Sequence, residues 1–390
     1  MPTIILYNHF HRKRNPELQP QEYAMTPRDN LLSLLHRKGY AEVPVFFEMC
    51  PHLHEVFQAR AKAAGKAGIS VQEFFGDDLF PYAPVPTPHF ADRPGLDWRA
   101  FYPDSIKPET TFDDDYGIGH EPGSEFAMHM TRMLHPMETF DSLEQMQAYP
   151  WPDWSEADPV EVAARVMEIR NAGKASYGFM QMTIWEIAWY LRNMEELMAD
   201  MMDDDEKAVY IFDMVTERAI QRARFYAKAG VDILFFGDDV GMQATIMMSP
   251  DLYRAWIKPN LRKVVDAAKA INPGIIIDYH TCGFVTPLIA DLAEGGIDVL
   301  NPVQPECMDF ADVHRDFGDL LSFRGVIGTQ TTMPFGTPEE VKRTVWRALD
   351  IAGAKGGLVA CPTHLLEPEV PWENIEAYVA ACREYPGAGR

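Results

Sequence analysis

Gly274-Ile275-Ile276-Ile277-Asp278-Tyr279-His280-Thr281-Cys282 decides how the chain reads. It is an apolar run that ends in polar side chains able to bind metal. Side chains on a strand alternate faces, so His280 and Cys282 project the same way, with Asp278 two residues behind them. Runs of the same kind recur at Ala175 to Met180, Val231 to Phe236, Val299 to Val303, Leu321 to Ile327 and Leu358 to Cys361, with helical stretches between most of them. This alternation predicts parallel βαβ units. Val43-Pro44-Val45-Phe46-Phe47 reads as the first strand, and an eighth is expected near Phe74-Phe75-Gly76-Asp77-Asp78. The count fits a TIM (β/α)8 barrel forming a single α/β domain over residues 1–390. No Gly-x-Gly-x-x-Gly turn follows the first strand, which argues against a dinucleotide-binding sheet.

Helix starts support the parse. Ser249-Pro250-Asp251 and Thr337-Pro338-Glu339-Glu340 each combine a capping hydroxyl, a proline at the first helical position and acids in the first turn. Residues 81–153 break the rhythm with many Pro, Asp, His and aromatic residues, and end at Tyr149-Pro150-Trp151-Pro152. They read as an irregular insertion placed to roof the barrel mouth.

Charge narrows the partners. Lys and Arg number 35 against 58 Asp and Glu, a formal charge of −23. Such a surface repels nucleic acid and anionic lipid, and disfavours a polyanionic substrate without a local basic pocket. No stretch reaches the ~20 apolar residues of a membrane span. The start, Met1 to His9, lacks the cationic segment and cleavage site of a signal peptide. Five scattered cysteines do not form a disulfide framework, so a reducing cytoplasm is expected, with thiols free for metal. A homodimer is left open.

In TIM barrels the chemistry sits at the C-terminal ends of the strands. Polar groups collect there: Asp238-Asp239, His280-Thr281-Cys282, Asn301 with Gln304, and Cys361 to His364. An imidazole and a thiolate from one strand end, joined by a soft ligand from another, suit zinc with a vacant fourth position. His280, Cys282 and Cys361 are the expected metal ligands, with His364 the alternative third. The bland reading is a hydrogen-bonded histidine beside inert buried cysteines. Asp278 either orients His280 or forms an interior salt bridge.

Of the two aspartates in Gly237-Asp238-Asp239-Val240-Gly241-Met242-Gln243, alternation puts one on each face. Asp239 is the candidate acid, base or substrate ligand. Glu186 opens a helix after a strand and is the second catalytic candidate, though a first-turn acid answering the helix dipole explains it as well. Gln243, Tyr279, Asn301, Gln304 and His364 are the expected substrate contacts. His52, His54, His89, His120, His129 and His135 read as surface or packing residues. Asp278-x-His280-x-x-Gly283 matches a short cobalt-ligand pattern, but Ser322-Phe323-Arg324 stands where Ser-x-Leu belongs, so the match is taken as accidental.

From about residue 155 to 385 the chain resembles the uroporphyrinogen decarboxylase superfamily. The pieces are Gly237 to Gln243 with Ser249-Pro250, His280-Thr281-Cys282-Gly283, Ile297 to Pro305, Gly336 to Glu340 and Pro371-Trp372-Glu373-Asn374-Ile375. The resemblance implies the same barrel, preceded by an N-terminal helical lead-in. True decarboxylases of this family grip their polycarboxylate with an arginine-rich segment near the start. Here Phe47 to His54 holds no arginine. The other branch is similar to corrinoid-dependent methyltransferases, including the methyl-transfer components of O-demethylase systems. Its His-x-Cys…Cys zinc set maps onto His280, Cys282 and Cys361, although counting back from Glu373-Asn374 puts the last position nearer His364.

That resemblance implies methyl transfer between a small substrate (methoxylated aromatic, thiol or folate) and the cobalt of a separate corrinoid protein. Zinc would be the Lewis acid. Asp239, Gln243 and Gln304 would orient the substrate. The rival enzyme is a decarboxylase using Asp239 without metal. A non-catalytic binding protein on an inherited barrel is the third reading.

Overall fold

The apolar runs become parallel strands because both of their faces are covered. The computed structural model describes residues 25–76, 79–123 and 131–389. The readings at Met1 to His9, at Asp77-Asp78 and at His129 lie outside them. In chain order the strands are β1 Tyr82–Pro84, β2 Thr111–Phe112, β3 Gly119–Glu121, β4 Arg132–Leu134, β5 Ala175–Met180, β6 Ile233–Gly237, β7 Ile276–His280, β8 Val299–Asn301, β9 Ser322–Arg324 and β10 Leu358–Val359. Seven of them form one sheet in the order β1-β5-β6-β7-β8-β9-β10. Every pairing in it is parallel.

Seven regular strands replace the expected eight. Val43 to Phe47 does not form one, because Pro44 removes an amide from the ladder. Instead this segment makes single bridges, Val45 with Leu79 and, two turns of the pleat later, Met49 with Leu366. The Phe80 amide donates to Val45 O at 3.0 Å, the Cys50 amide donates to Leu366 O at 2.9 Å, and the Leu366 amide donates to Glu48 O at 2.8 Å. Residues 43–50 thus touch both edges of the sheet. Phe74 and Phe75 close a short helix, Val71–Phe75, held by a reciprocal Ser70–Glu73 capping box. The strand that starts the sheet, β1, comes from inside the stretch read as insertion.

The rest of residues 81–153 carries the antiparallel sheet β2-β3-β4 and the helix Leu143–Gln147. It is tied to the helix Trp185–Arg192 that follows β5. Buried Arg192 donates to the carbonyls of Met137 and Phe140 at 2.7 Å, and its Nε pairs with Asp200 at 2.9 Å. The His135 ring bonds the Tyr190 carbonyl at 2.9 Å.

Helices behave as the caps direct. Ser249 accepts from the Leu252 amide at the start of Pro250–Trp256, and Thr337 with Glu340 forms a capping box on Pro338–Ala352. The helix Glu206–Ala229 packs on β5 at Gly178, where a Cβ would lie 2.8 Å from the Tyr226 ring. Among the described residues no helix is long and apolar enough to cross a membrane.

Candidate functional site

Strand β6 ends in two carboxylates that separate as alternation requires. Asp238 is fully buried, and its carboxylate accepts from the amides of Ile184 and Glu186 at 2.9–3.1 Å. It therefore satisfies the first free N–H groups of the helix Trp185–Arg192 from outside that helix. Burial pushes its carboxyl up to about 7 against the pull of those amides. Asp239 turns to the mouth, where its Oδ1 accepts from the Cys282 amide at 2.7 Å and lies 3.8 Å from His280 Nε2.

On the neighbouring strand β7, His280 Nδ1 meets Asn301 Oδ1 at 2.6 Å. The Asn301 amide nitrogen donates to the Arg324 carbonyl at 2.7 Å, which fixes which end of that side chain faces the imidazole. Since Oδ1 only accepts, Nδ1 carries a hydrogen, which leaves Nε2 as the nitrogen that offers a lone pair in the neutral ring. Nε2 lies 3.2 Å from Cys282 Sγ. The metal-competent atoms of Asp239, His280 and Cys282 all fall within 4.8 Å of one another.

Backbone contacts lock this corner. Gly283 has φ +84° and a Cβ there would lie 2.6 Å from Met242 O, so the β6 and β7 loops meet at a distance only glycine permits. The Phe284 amide donates to Met242 O at 2.7 Å, and Thr281 Oγ1 accepts from the Val240 amide at 3.0 Å.

Glu186 lies beside Asp239. Its carboxyl is pushed up to about 8, first by burial and then by the charges of Asp239 and Asp238, while the Tyr190 hydroxyl donates to it at 2.9 Å. Burial, with Asp239 and Glu186 adding to it, also pushes the Cys282 thiol far up. His364 sits across from His280, ring centroids 6.2 Å apart, and burial, with the neighbouring imidazole adding to it, lowers its affinity for a proton. A cleft of about 530 Å³ opens over Cys282, lined also by Gln243, Gln304, Gln330, Phe335 and His364. Among the described residues no Lys or Arg is in its lining, and Glu367 and Glu369 are.

The remaining expected residues are divided between the cleft and the interior. Cys361 does not join the three-donor group. It is buried near Arg324, Asp278 and Glu48, and burial pushes its thiol up to about 12. Tyr279 is fully buried on the face opposite His280, its hydroxyl on the Asp238 carbonyl at 3.4 Å. Gln304 uses its oxygen to accept from the Gly283 amide at 3.1 Å. Gln243 pairs reciprocally with Gln330 at 3.2 Å across the cleft. Asp278 forms the interior salt bridge, to Arg324 Nε at 2.7 Å, and Asn301 orients His280 in its place. Sequence reasoning passed over Gln330 and Arg324. An arginine inside the apolar run Leu321 to Ile327 was the available signal for the second.

Over 209 residues the chain is 28% identical to the methylated-thiol–coenzyme M methyltransferase of Methanosarcina mazei, covering 51% of each chain. The chain thus spans about half the length of that curated relative. In structure it is similar to a methyltransferase from Methanosarcina mazei, with a TM-score of 0.65, 20% identity, and coverage of 93% of this chain and 99% of that one. That likeness speaks for the fold. Residues 123–385 match the uroporphyrinogen decarboxylase (URO-D) family, about two thirds of the chain, and the chain belongs to that family.

Proposed function

We propose that this protein is a zinc-dependent methyltransferase that moves a methyl group between a small substrate and the cobalt of a separate corrinoid protein. The observation that carries the reading is the Asp239–His280–Cys282 group at the ends of adjacent parallel strands. Imidazole nitrogen, thiolate sulfur and carboxylate oxygen are all zinc donors, and a thiolate disfavours magnesium or calcium. Three protein donors leave the fourth position to substrate. The surroundings fit a cation too, since Asp238, Asp239 and Glu186 crowd one corner, where burial and the neighbouring carboxylates raise the proton affinity of Glu186 and Asp238. Asp239 takes the place the sequence assigned to Cys361.

When bound, zinc supplies Lewis acidity that favours the anionic form of a substrate thiol or hydroxyl. The chain's own residues do the rest. Asn301 fixes the imidazole tautomer, so that Nε2 is the coordinating atom. Glu186, partnered by Tyr190, holds a proton near neutrality beside Asp239. Gln243 and Gln330 close over the cleft, and Met242 and Phe335, 52% and 75% exposed, give its rim an apolar edge for the docking partner. A cleft without cations does not suit a polycarboxylate porphyrinogen, which weighs against decarboxylation.

The test is metal analysis of untagged protein together with methyl transfer to and from cobalamin. One zinc per chain is expected, lost with transfer activity in His280→Ala. Protein free of zinc whose transfer rate survives that substitution overturns the reading.

A further inference from the structure

Beneath His280 the bore of the sheet is neither closed nor purely apolar. Alternation turns Tyr82 of β1, Tyr177 and Phe179 of β5, Phe235 of β6, Asp278 and His280 of β7, and Arg324 of β9 to the same inner face. The rings stack in sequence: Tyr82 on Tyr177 at 4.6 Å, and Phe179 on Phe235 at 4.9 Å with planes 13° apart. Phe235 then approaches His280 at 5.8 Å. Phe179 is 38% exposed although its strand is otherwise buried, so the inner face is open at that point. An exposed ring stacked on a buried one, next to the donor group, is one wall of a slot for a flat molecule.

Arg324 stands at the other end of this slot. Its guanidinium lies 5.6 Å from the Phe235 ring centroid and 5.9 Å from that of Phe46. Among the described residues it forms one ion pair, through Nε to Asp278 Oδ2 at 2.7 Å, and one long contact from Nη2 to the Tyr177 hydroxyl at 3.4 Å. Asp278 Oδ1 is buried with no partner, so the pair is not the two-point clasp these groups prefer. Among the described residues Nη1 makes no hydrogen bond, while 11% of the side chain is still accessible. A guanidinium taken out of water is held there stably only where its donors are used. Unused donors on the wall of an accessible space are the mark of a ligand group that belongs there.

We infer that Arg324 is the specificity residue of this site, and that the small substrate is an aromatic monocarboxylate whose carboxylate takes the free end of the Arg324 guanidinium while its ring lies against Phe179 and Phe235. The inference rests on the proposed function in placing the reacting end at His280, which deepens that reading into a substrate class. Asn301 links the two strand ends, its oxygen on the His280 ring and its nitrogen on the Arg324 carbonyl, so the reacting end and the guanidinium sit on strands one apart from a common neighbour. One guanidinium answers one carboxylate, in keeping with a chain whose surface and outer cleft are acidic. The fork geometry selects carboxylate over amide, because an amide offers a single oxygen.

Calorimetric titration of the purified protein with benzoate, benzamide and acetate tests this without any turnover. Benzoate is expected to bind about 10–100-fold more tightly than benzamide, the range of one charge-assisted clasp, and more tightly than acetate, which lacks the ring. Arg324→Met should abolish the preference for benzoate over benzamide. Because that change leaves Asp278 unpaired, Arg324→Met with Asp278→Asn gives a second variant without the stranded charge, and Phe179→Ala should weaken benzoate and benzamide alike. Equal affinity for benzoate and benzamide, or a folded double variant that keeps the preference, overturns the inference. Binding needs neither zinc nor cobalamin, so a failure of methyl transfer leaves this result legible on its own.

Discussion

Strand β6 is bracketed by aspartates that live in opposite worlds. At its N-terminal end Asp232 receives Arg28 and Arg170, each at 2.7 Å, and the Ser176 amide and hydroxyl at 2.9 Å. Burial works to raise its carboxyl, but these partners outweigh burial and hold it down at about 2. At the C-terminal end Asp238 has amides but no cation and rises to about 7, and Asp239 faces a thiol, an imidazole and Glu186. The same residue type, five apolar residues apart, is a fastener at one end and an unmet charge at the other. In a barrel-like sheet the bottom end answers for stability and the top end for chemistry. The unmet charges are where an outside cation or substrate belongs.

Breaking the top end should cost binding and spare the fold. Asp239→Ala is expected to weaken zinc affinity roughly a thousandfold, a fair share of the 10–16 kcal/mol that structural zinc sites reach. Competition with a chromophoric chelator measures it, and the melting temperature of zinc-free protein should barely move. Breaking the bottom end should do the reverse. Asp232→Ala strands two guanidiniums that are about one-third exposed, and is expected to lower unfolding free energy by about 3 kcal/mol in urea titrations while zinc stoichiometry stays at one.

The pH dependence of the two ends also differs in sign. Asp232 has a folded-state value below its ordinary one, so its contribution is full above pH about 4 and is lost as pH falls toward 2. Asp238 is raised, so its burial costs stability progressively as pH climbs from about 4 to 7. Denaturation followed across pH 2–4 should show the first slope in the parent and not in Asp232→Asn. The smallest effect sharpens the comparison within the top end itself. Asn301→Ala removes the imidazole's anchor without removing a ligand, and should weaken zinc by about 10–100-fold. An unchanged affinity there means that packing alone orients His280.

How much of this was legible beforehand follows physical lines. Long, doubly buried runs announced themselves, and β5 came out at the residues expected, Ala175 to Met180. Short, half-irregular pieces did not. Tyr82–Pro84 hides among prolines, and Val43 to Phe47 looks like a strand by composition while Pro44 denies it the ladder. The Ser70-x-x-Glu73 box was there to be read as a helix start, and would have removed Phe74-Phe75 as a strand. At the site, alternation placed His280 and Cys282 together and parted Asp238 from Asp239, since a period of two survives any detail of packing. Which further side chain comes within reach of His280 and Cys282 is a matter of stagger around the sheet. Cys361 shares its chemistry with Cys282 but lies outside that group, and Asp239 on the adjacent strand lies within it. Tyr279 shows the same rule from the other side, because its odd position turns it outward, away from the face that His280 shares.

One last feature is the seam at residues 43–50. Where β6 and β7 are stitched along five residue pairs, this segment holds each neighbouring edge by a lone bridge. The sheet is in effect a split ring, and the split falls beside Phe46, against which Arg324 lies. That seam borders Phe46 and Arg324, while the donor atoms of Asp239, His280 and Cys282 follow β6 and β7, which are paired without a break. Evolution of such a chain can therefore change what is admitted by loosening or tightening one gap, without disturbing the reacting end.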